Sequence, residues 1–133
     1  MKIVTDSAAD MPAAELRAFG VVEAPLSIQF PDREISSADI SADDFYNRLR
    51  AMRPALPTTA QPSAGIFAQI YRQIAETDKE ILSVHISSGL SGTSQAAHLG
   101  ASQTAPDAHV TVWDTMTLSG GERFQVLAAA AAA

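Results

Sequence analysis

The sequence has 133 residues, of which 47% are hydrophobic and 18% are charged, and its formal net charge is −6. This length and composition suit one globular domain with its own core. Nine Lys and Arg against fifteen Asp and Glu disfavour a nucleic-acid-binding surface, which needs a basic face. The chain has no cysteine, which excludes disulfides and thiolate zinc sites.

No apolar run approaches the ~20 residues that a membrane-spanning helix needs. Asp6 falls where the apolar region of a signal peptide would lie. His85, His98 and His109 form no metal-ligating pattern. We therefore expect a cytoplasmic protein with no stable membrane insertion, no nucleic-acid partner, no metal and no cofactor.

The first half of the chain alternates apolar strands with capped helices. Asp10 is expected to cap the first helix, Gly20 to end it, and Ser41 to cap the second. "PDRE" at 31–34 is turn-like, and Pro54 and Pro57 interrupt the chain after the second helix. The predicted elements are a strand over 2–5, a helix from about 12 to 19, a strand over 21–30 and a helix over 42–52.

The second half continues the alternation. Ser63 is expected to cap a helix whose apolar residues recur at helical spacing. The predicted elements are a helix over 64–76, a strand over 80–86, a helix over 90–102, a strand over 109–113 and a helical tail from about 121. Such alternation predicts a three-layer α/β/α domain with a mainly parallel sheet.

Hydroxyl-rich loops follow three of the predicted strands: "TDS" at 5–7, "SSGLSGT" at 87–93 and "WDT" at 113–115. A fourth such segment, "TTAQPS" at 58–63, opens a helix. Loops at the carboxyl ends of parallel strands gather at one edge, where helix N-termini, hydroxyls and glycines suit a small anion. Without Lys, Arg or a P-loop, they favour a singly charged group such as a carboxylate. The alternative is that these hydroxyls only cap helices.

Several motifs together resemble one family. "KIVTDSAADMP", "VVEAPLSIQF", "LPTTAQPSAGIF", "ILSVHISSGLSGTSQAAHLG" and "HVTVWDTMTLSGG" resemble, in order, the successive motifs of the DegV family of bacterial fatty-acid-binding proteins. The resemblance implies a protein of roughly twice this length. Residues 1–133 would form its amino-terminal α/β domain, and a second, lipid-covering domain would be absent or truncated after about residue 120.

The resemblance also implies a function. A long-chain fatty acid would be bound, with its carboxylate held by the hydroxyls of Thr59 and Ser91 and with secondary contacts from Gly92 and Thr93. The protein would be a carrier rather than an enzyme, and it would present the acyl group to a separate fatty acid kinase. Ala60 stands where the family motif has a serine, so one hydroxyl of that loop is missing.

Five further residues are candidates for supporting roles, either ordering the loops or touching the head group: Asp6, Ser7, His85, Ser88 and Asp114. Two other functions stay open. One is a hydrolase or transferase that uses Ser91, with His85 and Asp6 completing a triad. The other is an interaction module that binds no small ligand.

Overall fold

A computed structural model describes all residues, 1–133. The chain forms seven strands and five α-helices. The strands are β1 (Lys2–Asp6), β2 (Val22–Ala24), β3 (Ser27–Gln29), β4 (Glu34–Ser36), β5 (Thr58–Ala60), β6 (Glu80–His85) and β7 (His109–Asp114). The helices are α1 (Ala13–Phe19), α2 (Ala42–Ala51), α3 (Ala64–Ala75), α4 (Thr93–Thr104) and α5 (Gly120–Ala132).

A four-stranded parallel sheet in the order β2-β1-β6-β7 forms the centre of the molecule. β1 is rich in β-branched residues and is buried from Ile3 to Asp6, as expected for a strand covered on both faces. The predicted α/β class with a mainly parallel sheet is confirmed.

Helices cover both faces of this sheet, and each face has its own apolar core. On one face, Phe67, Tyr71 and Ile74 of α3 and Ala97 of α4 pack against β1, β2 and β6. On the other face, Val126 of α5 packs with residues of β1, β6 and the segment after β1. The three-layer arrangement follows from these two clusters.

The predicted strand over 21–30 is wrong as one element. It divides into β2 and β3 on either side of Pro25, and only β2 joins the parallel sheet. β3 pairs with β4 and β5 in a separate antiparallel sheet, which places Thr59 opposite Ile28. β4 and β5 have three residues each, too few to show a periodicity in the sequence.

Most helix ends are where capping residues predict them. The side chains of Ser41 and Ser63 accept hydrogen bonds from the N–H groups of Asp44 and Ile66, and Gly20 ends α1 at φ +63°. Asp10 is not the cap of α1: it has φ +51° and ends a 3-10 turn over Ser7–Ala9. α4 begins at Thr93, so residues 90–92, predicted to be helical, lie in the preceding loop.

The two helices that flank the hydroxyl loops, α3 and α4, approach each other at Gly100. A Cβ atom at Gly100 would lie 2.6 Å from Cβ of Phe67 and 2.9 Å from the carbonyl oxygen of Ala64. Neither atom is the end of a flexible side chain, so the helices would have to separate. The contact fixes the distance between the helices that follow the two hydroxyl loops.

We therefore expect Gly100→Ala to lower the free energy of unfolding by ~1–3 kcal/mol, because overpacking outweighs the gain in helix propensity. Urea denaturation followed by circular dichroism measures the change. Gly120→Ala, at the start of α5 with no atom within 4 Å of the added Cβ, is the matched control and should leave stability equal or slightly higher. Equal stability of both variants would contradict this account of the α3–α4 contact.

Candidate functional site

The carboxyl edge of the parallel sheet is organised by the carboxylate of Asp6, the last residue of β1. Its side chain is fully buried. Oδ1 accepts a hydrogen bond from the N–H of Ala8 at 2.9 Å, and Oδ2 accepts one from the N–H of Ile86 at 3.1 Å. Asp6 thereby ties the loop after β1 to the loop after β6, which is the ordering role expected for it.

Three buried side chains extend this network away from the edge. Asp6 Oδ2 lies 2.9 Å from Nδ1 of His85, whose Nε2 lies 2.7 Å from Oγ of Ser83, and Ser83 lies 2.8 Å from the hydroxyl of Tyr71. All hydrogen bonds of this network are satisfied by the His85 tautomer that is protonated at Nδ1, if Tyr71 donates to Ser83 and Ser83 donates to His85. Burial raises the pKa of Tyr71, which keeps its proton available.

Ser83, His85 and Asp6 stand in the order and at the distances of a hydrolytic triad. All three side chains are nonetheless fully buried, and the Ser83 hydroxyl is held by Tyr71. No substrate reaches such a nucleophile without unfolding the core. Both ring nitrogens of His85 are engaged by Asp6 and Ser83, so His85 does not form the alternative triad with Ser91 in this structure.

A cavity of about 370 Å³ lies between the β3–β5 sheet and the loop after β6. It brings together three of the four residues predicted to bind the ligand: Thr59, Ser91 and Gly92. The other residues that line it are the apolar side chains of Leu26, Ile86 and Leu90 and the amide of Gln61, of which Ile86, Leu90 and Gln61 were not selected from the sequence. The cavity therefore combines hydroxyl groups with an apolar wall, as small-molecule sites do.

Thr93, the fourth predicted residue, does not line the cavity. It is fully buried at the start of α4. Its N–H donates to Oγ of Ser91 at 3.3 Å, and its hydroxyl lies 2.8 Å from the same oxygen. When the Thr93 hydroxyl also donates, the lone pairs of Ser91 are occupied and the Ser91 O–H is left to donate elsewhere.

The charges around the cavity favour an anion without a cationic partner. Gly92 is the N-cap of α4 and makes no side-chain capping hydrogen bond, so the positive end of the helix dipole lies at the cavity wall. No Lys, Arg, Asp or Glu lines the cavity. Neutral hydroxyls and peptide dipoles are therefore the groups that a bound anion would meet there.

A shallower groove of about 490 Å³ continues from the cavity and shares Leu26 and Thr59 with it. Asp10 and Glu23 line this groove. Burial, then the charges of Asp6 and Asp10, raise the pKa of Glu23. An anionic group is favoured in the cavity and disfavoured in the groove.

The remaining predicted residues hold the loops in place. Oγ of Ser7 accepts hydrogen bonds from the N–H of Leu26 and from the hydroxyl of Ser37, both at 3.0 Å. Asp114 accepts from the N–H groups of Ser88 and Met116. The Ser88 side chain first, and then the N–H groups of Met116 and Ser88, lower the pKa of the Asp114 carboxyl.

Glu122 is a buried titratable group at this edge that no pattern in the sequence indicates. It lies in the first turn of α5 and is fully buried. Oε1 accepts a hydrogen bond from Thr5 Oγ1 at 3.3 Å, while Oε2 has no partner. Burial, then the negative charge of Asp6, raises the pKa of Glu122 to about 8, so this carboxyl carries a proton at neutral pH.

The fold and this edge define a class: an α/β domain with a cavity lined by hydroxyl and apolar groups at the carboxyl ends of its parallel strands. The sequence model of the DegV family, a family of uncharacterised proteins, matches residues 1–133. The chain belongs to the DegV family. None of its helices is long and apolar enough to cross a membrane, and no group of His, Asp and Glu is arranged to hold a metal ion.

Two curated relatives differ in the share of their own length that this chain covers. DegV domain-containing protein YejH of Lactococcus lactis is 36% identical over 130 residues, which cover 98% of this chain and 46% of the relative. A DegV domain-containing 15.5 kDa protein of Staphylococcus aureus is 36% identical over 129 residues, covering 93% of this chain and 86% of the relative. The chain thus spans about half the length of most of the relatives it matches.

Two solved structures carry the same fold. A fatty-acid-binding DegV family protein from Thermus thermophilus superposes with a TM-score of 0.87 at 36% identity, over 98% of this chain and 46% of that one. A stearic acid-binding protein from Eubacterium ventriosum superposes with a TM-score of 0.90 at 26% identity, with the same coverage. Fatty acids are therefore the ligands named for structures that share this fold.

The state of Glu122 predicts how stability depends on pH. Between the usual carboxyl pKa of 4.5 and about 8, the folded chain holds a proton that the unfolded chain has lost. The free energy of unfolding should then fall as pH rises through this range, by up to ~1.4 kcal/mol per pH unit. Glu122→Gln keeps the acceptor for Thr5 and should remove most of this slope. Glu23, whose pKa is also raised, contributes the remainder.

Urea denaturation at pH 5, 6.5 and 8 measures the slope. The matched control is Glu76→Gln, which replaces an exposed glutamate at the end of α3 and should keep the parent slope. A Glu122→Gln variant with an unchanged slope would show that Glu122 does not hold the proton.

Proposed function

We propose that this chain binds a long-chain fatty acid, with the carboxylate in the cavity formed by Thr59, Ser91 and Gly92. The observation that carries the proposal is the meeting of these three residues, which lie up to 33 positions apart in the sequence, around one cavity that has no charged side chain. The fatty-acid-binding structures of the same fold support the choice of ligand.

The hydroxyls of Thr59 and Ser91 would donate to the two carboxylate oxygens. Oγ of Ser91 already accepts from the N–H of Thr93, and when the Thr93 hydroxyl also donates to it, the Ser91 O–H is free to donate to the carboxylate. The hydroxyl of Thr59 is exposed at the cavity, since the strand pairing of β5 uses only its backbone. A buried carboxylate without such partners would be very costly, so these donors decide whether the head group can bind at all.

The acyl chain would supply most of the affinity, at ~0.8 kcal/mol for each methylene removed from water. Leu26, Ile86 and Leu90 begin the apolar path, and Leu90 is 62% exposed. Met116 and Leu118, on the loop after β7, are also exposed. We propose that the remaining half of the full-length relatives forms a second domain over these apolar side chains and closes the tail site.

The carrier role implied by the family resemblance fits this geometry. The head group would lie at the mouth of an open cavity while the acyl tail is covered. The head group would therefore remain accessible to a separate fatty acid kinase. We propose such a kinase as the partner and a carrier without its own catalytic step as the role. The cytoplasmic location stays a prediction from the sequence.

The test is titration of the delipidated chain with palmitate, followed by native mass spectrometry of the complex. Ser91→Ala should weaken palmitate binding about tenfold to a hundredfold, because a hydrogen bond to a charged group is worth ~1.5–3 kcal/mol. Thr59→Val, which keeps the shape of the side chain, should have an effect of similar size.

The control is Ser102→Ala, which removes an exposed hydroxyl of α4 away from the cavity. It should bind palmitate as the parent does. A parent chain that takes up no palmitate would overturn the proposal for residues 1–133. Equal affinity of the Ser91→Ala and Ser102→Ala variants would remove Ser91 from the site.

A further inference from the structure

We propose that Gln61 is a third ligand of the head group, and that its Nε2 amide donates to the carboxylate beside Thr59 and Ser91. This inference rests on the proposed function and adds to it the residue that selects a carboxylate over other polar head groups. Gln61 lines the same cavity as Thr59 and Ser91. It precedes α3 in the loop after β5.

The position of the Gln61 amide is set by Gly92. A Cβ atom at Gly92 would lie 2.7 Å from Oε1 and 2.8 Å from Nε2 of Gln61, so the amide occupies the space that any side chain at residue 92 would fill. Gly92 has φ −78°, a backbone conformation open to every residue. The absence of a side chain at Gly92 therefore makes room for the amide in this position, and the turn itself does not need glycine.

The amide group is also uncommitted. Hydrogen bonds in its loop are made by Thr58 and Ser63, and none engages the side chain of Gln61. Its two N–H donors make no hydrogen bond to any acceptor of the chain. A carboxylate offers about four acceptor positions, so two hydroxyls leave room for a third donor.

The chemistry of an amide makes Gln61 a specificity residue. Its N–H donors favour an ionised carboxylate, and no Lys or Arg at the cavity supplies that preference by charge. Gln61→Glu has nearly the same shape but replaces the donors by a negative oxygen, which repels a carboxylate and accepts from a primary amide. The variant should therefore reverse the preference between a fatty acid and its amide.

The experiment measures the Kd of palmitate and of palmitamide for the full chain at pH 7.5. The parent should bind palmitate more tightly. Gln61→Glu should weaken palmitate binding at least tenfold and leave palmitamide binding equal or tighter, so that the ratio of the two Kd values changes by about a hundredfold. Gln61→Met, which removes the donors without adding a charge, should also weaken palmitate more than palmitamide, and equal losses for the two ligands in this variant would overturn the inference.

Gln73→Glu, an exposed glutamine of α3 outside the cavity, adds the same charge elsewhere and should leave both Kd values unchanged. If Gln73→Glu changes the two Kd values as much as Gln61→Glu does, the effect comes from net charge and the inference is wrong. If the parent binds neither ligand, the proposed function itself fails. If the parent binds palmitate and Gln61→Glu binds it equally, only the role of Gln61 fails.

Gly92→Ala tests the same residue by a second route. The added methyl should displace the flexible end of Gln61 without disturbing the fold, and it should weaken palmitate binding about threefold to tenfold. In the Gln61→Ala background the same methyl has no amide to displace, so Gly92→Ala should then add little. Additive losses in the double variant would show that Gly92 acts independently of Gln61, against the inference.

Discussion

The buried carboxylate of Asp6 is the constraint on which the carboxyl edge of the sheet depends. It accepts from the N–H groups of Ala8 and Ile86, and it holds Nδ1 of His85. Each of those donors would be costly to bury alone. Satisfying all of them with one side chain fixes where the chain leaves β1 and β6, and the loop after β6 carries Ser91 and Gly92. The ligand cavity is thus positioned by a residue that does not line it.

This constraint has a consequence for Glu122. A second ionised carboxyl next to Asp6 would raise the cost of burying either charge, and Oε2 of Glu122 has no donor to offset that cost. Holding Glu122 in its protonated form avoids the repulsion, so α5 can dock against β1. The same neutral state makes the stability of the domain depend on pH, because unfolding releases the proton.

The fold was predictable from the sequence because long elements carry clear signals. The helices capped by Ser41 and Ser63 and the strands over 80–85 and 109–114 have enough residues to show their periodicity. The three-residue strands β4 and β5 do not, and they form only because the pairing with β3 satisfies their backbone. Thr59 was therefore chosen by its motif, while its place on a strand came from tertiary pairing.

The candidate site likewise contains some residues that the sequence indicates and others that only the fold brings to the cavity. Hydroxyl-rich loops are visible in the sequence and indicate an anion site, while the resemblance to the family motifs singles out Thr59, Ser91 and Gly92 within them. Leu26 and Ile86 are ordinary core-like residues in the sequence, and they line the cavity only because the antiparallel β3–β5 sheet lies beside the loop after β6. Gln61 is a single polar residue in a loop, and its signal is geometric: the missing side chain of Gly92, 31 positions later, makes room for it.

A head-group site made of neutral donors suits a protein that must release its ligand. Hydroxyls, an amide and a helix terminus satisfy the oxygens of a carboxylate, while a buried Arg or Lys would form a charged pair that is costly to separate. In the proposed complex, the length of the covered acyl chain would set the affinity, and the cavity around Ser91 would set the choice of head group. Affinity and selectivity can then change independently, since the apolar side chains and the polar donors belong to different elements of the domain.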